Sequence, residues 1–135
     1  MPTLTLKLAA PPDPARDKAL ASALTAITAS TLGKRAEVTA VLIEELPAAR
    51  WYVGARAVQR PTALLEISVT EGSNTAAQKA AFIEAAFAEL QSRLAPGAAL
   101  EEASYVIVRD VPATDWGYGG KTQQARQAMR QEQAP

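Results

Sequence analysis

One decapeptide occurs twice, and this constrains the fold more than any other feature. Leu46-Pro47-Ala48-Ala49-Arg50-Trp51-Tyr52-Val53-Gly54-Ala55 aligns with Val111-Pro112-Ala113-Thr114-Asp115-Trp116-Gly117-Tyr118-Gly119-Gly120, sharing Pro, Ala, Trp and Gly at a constant offset of 65. The same offset superposes the apolar run Val41-Leu42-Ile43 on Val106-Ile107-Val108, and Pro2-Thr3 matches Pro61-Thr62 at an offset of 59. A six-residue insertion around Leu94-Ala95-Pro96-Gly97 accounts for the difference. A period near 60 that occurs only twice is an internal duplication, not a solenoid.

Each half reads strand, helix, strand, hairpin. Leu4, Leu6 and Leu8 alternate with Thr3, Thr5 and Lys7, the period of a strand with one buried face. Asp13 before Pro14 predicts a helix start, and Gly33 its end near Leu32. Residues 38–46 form the next strand. In the second half Leu65, Ile67 and Val69 alternate, Thr75 and Gln78 predict a capping box, and Phe82, Ala86, Leu90 and Leu94 form an apolar stripe. Pro96-Gly97 stops that helix, residues 104–109 are strand, and the segments around Trp51 and Trp116 are short hairpins. Residues 123–135 read as a frayed helix or loose tail.

Strand-helix-strand in about 45 residues makes a parallel pair. Two such units form a four-stranded mixed sheet with both helices on one face, an α/β (α+β) fold in one domain over residues 1–123. The repeats cover about 2–58 and 61–123, and 124–135 follow as a C-terminal tail. The two continuous apolar runs predict strands buried on both faces, so a homo-oligomer is expected to cover the open side.

Composition narrows the chemistry. The chain has no cysteine and no histidine, which removes thiolate nucleophiles, disulfides, serine-histidine triads and the common zinc sites; no metal or cofactor is expected. Fourteen basic and fourteen acidic residues cancel, leaving no footprint for nucleic acid or an anionic membrane. No apolar run reaches the roughly 18–20 residues of a membrane span, and no signal peptide is legible, so a cytoplasmic protein is expected. What remains is Pro2. With Met1 removed, it carries a secondary amine at the head of a strand, a base able to take a carbon-bound proton without metal or histidine. Pro61 has an amide nitrogen and cannot share that role.

Pro2 opening a strand, the duplicated β-α-β half and the closing Asp115-Trp116-Gly117-Tyr118-Gly119-Gly120-Lys121 hairpin together resemble the tautomerase superfamily. The second half resembles a 4-oxalocrotonate tautomerase subunit, and the doubled length is similar to the macrophage migration inhibitory factor-like and fused members. The resemblance spans residues 2–123. It implies a trimeric barrel with an active site at each Pro2, and a cofactor-independent keto–enol tautomerase acting on a small 2-oxo acid or its enol. In that reading Pro2 is the general base, Lys34 holds the substrate carboxylate, Tyr105 is a pocket tyrosine, and Trp51 and Trp116 wall the pocket. Each tryptophan alternatively anchors its hairpin at a subunit interface. Two other readings stay open on this fold: a dehalogenase, hydratase or decarboxylase of an unsaturated or oxo acid, and a non-catalytic trimeric binding module.

The pattern also departs from the family. Ala9-Ala10-Pro11-Pro12 stands where 4-oxalocrotonate tautomerase has a catalytic arginine, and its second arginine falls at Ala40 and Tyr105. Glu71-Gly72-Ser73-Asn74 lacks the arginines of the decarboxylase and dehalogenase members. Arg35, Arg56, Arg60 and Arg109 are the available substitutes, and Glu37 a candidate to activate water. Gly119-Gly120 lacks the context of a phosphate loop and reads as a hairpin turn.

Overall fold

The first strand, β1 (Thr3–Ala9), buries Leu4, Leu6 and Leu8 completely on one side. Pro11 and Pro12 break it, and Asp13 caps helix α1 (Pro14–Leu32), its side chain accepting from the Arg16 N–H at 3.0 Å. Gly33 ends α1 at φ 66°, donating its N–H to the Ala29 carbonyl. A side chain pays for the left-handed conformation, so Gly33→Ala is expected to cost about 1–2 kcal/mol in denaturant unfolding despite open space around the position. A single 3₁₀ turn, Ala36–Val38, leads into β2 (Ala40–Glu45), which therefore starts two residues later than the sequence predicts. A hairpin of β3 (Tyr52–Val53) and β4 (Arg56–Ala57) closes the first repeat.

The second repeat follows the same order: β5 (Thr62–Thr70), α2 (Ala76–Leu94), β6 (Tyr105–Val111), and a hairpin of β7 (Gly117–Tyr118) and β8 (Lys121–Thr122). Thr75 and Gln78 form the predicted capping box on α2. A last helix, α3 (Gln123–Gln133), leaves β8 directly. The computed structural model describes residues 1–133; the end of the expected 124–135 tail, residues 134 and 135, lies outside them. No described helix is long and apolar enough to cross a membrane.

The sheet order is β2-β1-β5-β6, with the central pair antiparallel and each outer strand parallel to its neighbour. Both long helices pack on one face. Their buried positions correspond at an offset of 62: Leu20, Leu24, Thr28 and Leu32 against Phe82, Ala86, Leu90 and Leu94. The strand registers refine the repeat. Leu4 pairs with Val41 and Leu65 with Val106, so β1 maps onto β5 at an offset of 61. Pro2 therefore corresponds to Ala63 in space, two residues past the Pro61 that matches it in sequence.

The open face differs from expectation. Val41, Ile43, Val106 and Val108 turn toward the helices and pack on the core, as predicted. The central strands, however, place Thr5, Lys7, Glu66 and Ser68 on the open side, and Arg109 pairs with Glu66 there at 3.0 Å. Leu42, 56% exposed, its counterpart Ile107, and Tyr105, Leu64 and Val111 bring apolar surface to that face. Alternation on β1 and β5 overrides the inference from the outer runs, and the uncovered face is mixed rather than apolar.

Candidate active site

Pro2 is buried at the head of β1, where its carbonyl accepts the Ala40 N–H at 3.2 Å. A cavity of about 280 Å³ opens above it. Three parts of the chain meet there: the end of α1, the loop after β5, and α3.

Lys34 enters because Gly33 turns the chain sharply out of α1. The loop after β5 fixes it. Asn74 donates Nδ2–H to the Leu32 carbonyl at 2.9 Å, satisfying an end carbonyl of α1, and Lys34 Nζ donates to Ser73 Oγ at 2.8 Å. The loop that lacks the family's arginines thus aims a lysine. Burial lowers the Lys34 pKa, opposed by the more distant Asp110 carboxylate, which is itself paired with Lys79 at 2.6 Å.

Helix α3 forms the far wall. Gln123, 2% exposed, donates its backbone N–H to Trp116 O at 2.9 Å and its side-chain Nε2–H to Met1 O at 3.3 Å. Gln127 and Arg130, one and two turns on, line the same cavity. The helix is tethered to the β7–β8 hairpin by Arg126, which donates Nη2–H to Tyr118 O at 2.8 Å and stacks 3.8 Å over the Tyr118 ring.

Among the described residues the lining contains Lys34, Arg35 and Arg130 and no carboxylate, although the chain as a whole is neutral. Arg35 is partly neutralised by Glu37, 2.9 Å away and outside the lining, which ties that glutamate to an exposed ion pair instead of to water in the cavity. Burial foremost, then Lys34, Arg130 and Arg35, hold the Met1 amine below the ordinary α-amino range.

The other sequence candidates divide by their place in the sheet. Trp116 comes to the site: it borders an adjoining cavity that shares Met1, Tyr118 and Gln123 with the first, and its Nε1–H is buried without an acceptor among the described residues. Tyr105 does not. It pairs with Leu64 while Thr3 pairs with Ser68, so it stands about 15 Å along the sheet from Pro2, 65% exposed. Trp51 follows β2, whose beginning rather than end meets Pro2, and is likewise remote within the protomer. Arg56 and Arg60 lie around a different cavity at that opposite end, and Arg109 is held by Glu66. Among the described residues no cluster of His, Cys, Asp or Glu could hold a metal.

The sequence alone does not reveal Gln123, Gln127 and Arg130. Their spacing on one helical face was the available signal, hidden in a segment with too few apolar residues to announce a packed helix.

This fold is found again in known proteins. A family model described as tautomerase enzyme matches residues 2–59, the first repeat. The structure of a native fused 4-OT is 33% identical, covering 91% of this chain and 97% of that one with a TM-score of 0.77. The chain belongs to the tautomerase superfamily. A wild-type fused 4-OT described as an asymmetric trimer is 29% identical over 91% of this chain and 98% of that one, TM-score 0.76. The macrophage migration inhibitory factor of Toxoplasma gondii, 18% identical over 89% and 98%, TM-score 0.74, shares the fold. None of the curated proteins matches.

Proposed function

We propose that this protein is a cofactor-independent keto–enol tautomerase for a small 2-oxo acid or its enol, with Pro2 as general base once Met1 is removed. The observation that carries the reading is the cavity at Pro2, lined among the described residues by three cations and no carboxylate. Such a lining favours a bound anion and lowers the pKa of an amine placed in it.

In the reaction, the free Pro2 nitrogen takes the hydroxyl proton of the enol or a proton alpha to the ketone. The electron pair moves through the C–C–O unit, and the proton returns to carbon or oxygen at the other end. No atom is gained or lost. A base with a pKa near the working pH is both available and effective, and the burial and cations that lower the pKa of the Met1 amine act in the same direction on an amine at Pro2. Lys34 and Arg130 hold the carboxylate, and Trp116 forms the apolar side. The fused relatives described as trimers support a homotrimer here. Trp51 and Tyr105, remote within the protomer, enter this reading only from a neighbouring copy.

Lys34→Ala tests the anion site. Losing a charged hydrogen bond to the carboxylate is expected to raise KM for phenylenolpyruvate about tenfold. The same change removes a positive charge that opposes protonation of the amine. The amine then keeps its proton to higher pH, and the acid limb of the kcat/KM profile moves upward. An unmoved limb and an unchanged KM would remove Lys34 from the site.

A further inference from the structure

Met1 O marks a direction in the site. Its carbonyl carbon is bonded to the Pro2 nitrogen, so its C=O lies on the approach that a reacting molecule takes once Met1 is gone. Gln123 Nε2 donates to that oxygen at 3.3 Å, which places the amide within about 6 Å of the Pro2 nitrogen. An acceptor here also fixes which end of the amide faces the approach, namely its NH₂ group. With Met1 in place Gln123 is almost wholly buried; loss of Met1 removes that acceptor and opens the approach to the base beside the amide.

We propose that Gln123 is the hydrogen-bond donor to the substrate oxygen that gains negative charge while Pro2 holds the proton. The Met1 carbonyl stands in for that oxygen. This rests on the Pro2 reading above and adds a second catalytic residue, supplied by the C-terminal helix. Three features fit the role. The residue's main chain is fixed, because its backbone N–H donates to Trp116 O. The residue is dry, at 2% exposure. It lies in a lining whose charges favour a developing anion. A donor in such a place strengthens its bond as the keto oxygen becomes an enolate, so it lowers the barrier more than it tightens the substrate.

The test uses the mature, assembled protein with phenylenolpyruvate. Gln123→Met keeps length and removes the donor. Its kcat is expected to fall about a hundredfold with KM within about twofold and the acid limb of the pH profile unmoved. A kcat within threefold of the parent, or a change confined to KM, would overturn the assignment. Should that variant not fold, Gln123→Glu preserves size and polarity. Its carboxylate, ionised beside the amine, offers no donor and repels the enolate, so kcat falls at least as far while the acid limb moves upward; undiminished kcat overturns the proposal. The two readings fail separately. Turnover that persists when the Pro2 nitrogen is kept as an amide sinks the base and this donor together, whereas turnover that needs a free Pro2 but ignores Gln123 sinks only the donor.

Discussion

A chain beginning at Pro2 is expected to ketonise phenylenolpyruvate, whereas the same chain with one residue retained ahead of Pro2 is expected to lose about two to four orders of magnitude in kcat, the usual worth of a positioned base. The contrast is sharp because the retained residue does two things. It turns the nitrogen into an amide with no basic lone pair, and its carbonyl occupies the approach guarded by Gln123. The fold should be indifferent, since the Pro2 carbonyl keeps its bond to Ala40 in either form. Intact mass identifies the terminus of each preparation, and ultraviolet absorbance follows loss of the enol. Equal rates from the two chains would end the case for Pro2.

Phe82→Ala is expected to remove about 3–5 kcal/mol of stability, read as a lower denaturant midpoint. Phe82 is the largest fully buried side chain, and it sits where the first repeat has Leu20. One step along, the sizes reverse, with Ala86 standing where the first repeat has Leu24. The core between α1 and α2 is thus filled by unlike side chains at equivalent positions, and small neighbours such as Ala86 cannot grow into the void. Thr28, the polar exception, is tolerated because its hydroxyl donates to the Leu24 carbonyl at 2.7 Å. A loss below about 1 kcal/mol would mean that the helices close over the gap.

Much of this architecture is legible in the sequence because local signals agree with one another. Leu4, Leu6 and Leu8 alternate, Asp13-Pro14 starts a helix and Gly33 stops it, and Thr75 with Gln78 marks the second; all four appear in place. The repeat was legible but not its register. The Pro-Thr dipeptides match by letter, yet hydrogen-bonded pairing moves the true counterpart of Pro2 to Ala63. The open face of the protomer is mixed because the outer strands carry continuous apolar runs while the central strands alternate.

At the site, Pro2 and Lys34 could be read because a strand start and a helix end adjoin in a β-α-β unit. Tyr105 could be assigned to its strand but not to its end of the sheet, which depends on the antiparallel pairing of β1 with β5. Residues 123–135 read only as a frayed helix or loose tail because what holds helix α3 in place is polar: a glutamine to a main-chain carbonyl, and an arginine to a tyrosine. Such contacts leave no hydropathy pattern.

The cavity brings Pro2 and Gln123 together from opposite ends of the chain. A contact of that span is closed only after both sheets of neighbours between its ends have taken shape, so the reaction centre is completed late in folding. In rising denaturant the C-terminal helix should let go first, and catalysis should fade while the leucine-rich interior is still intact.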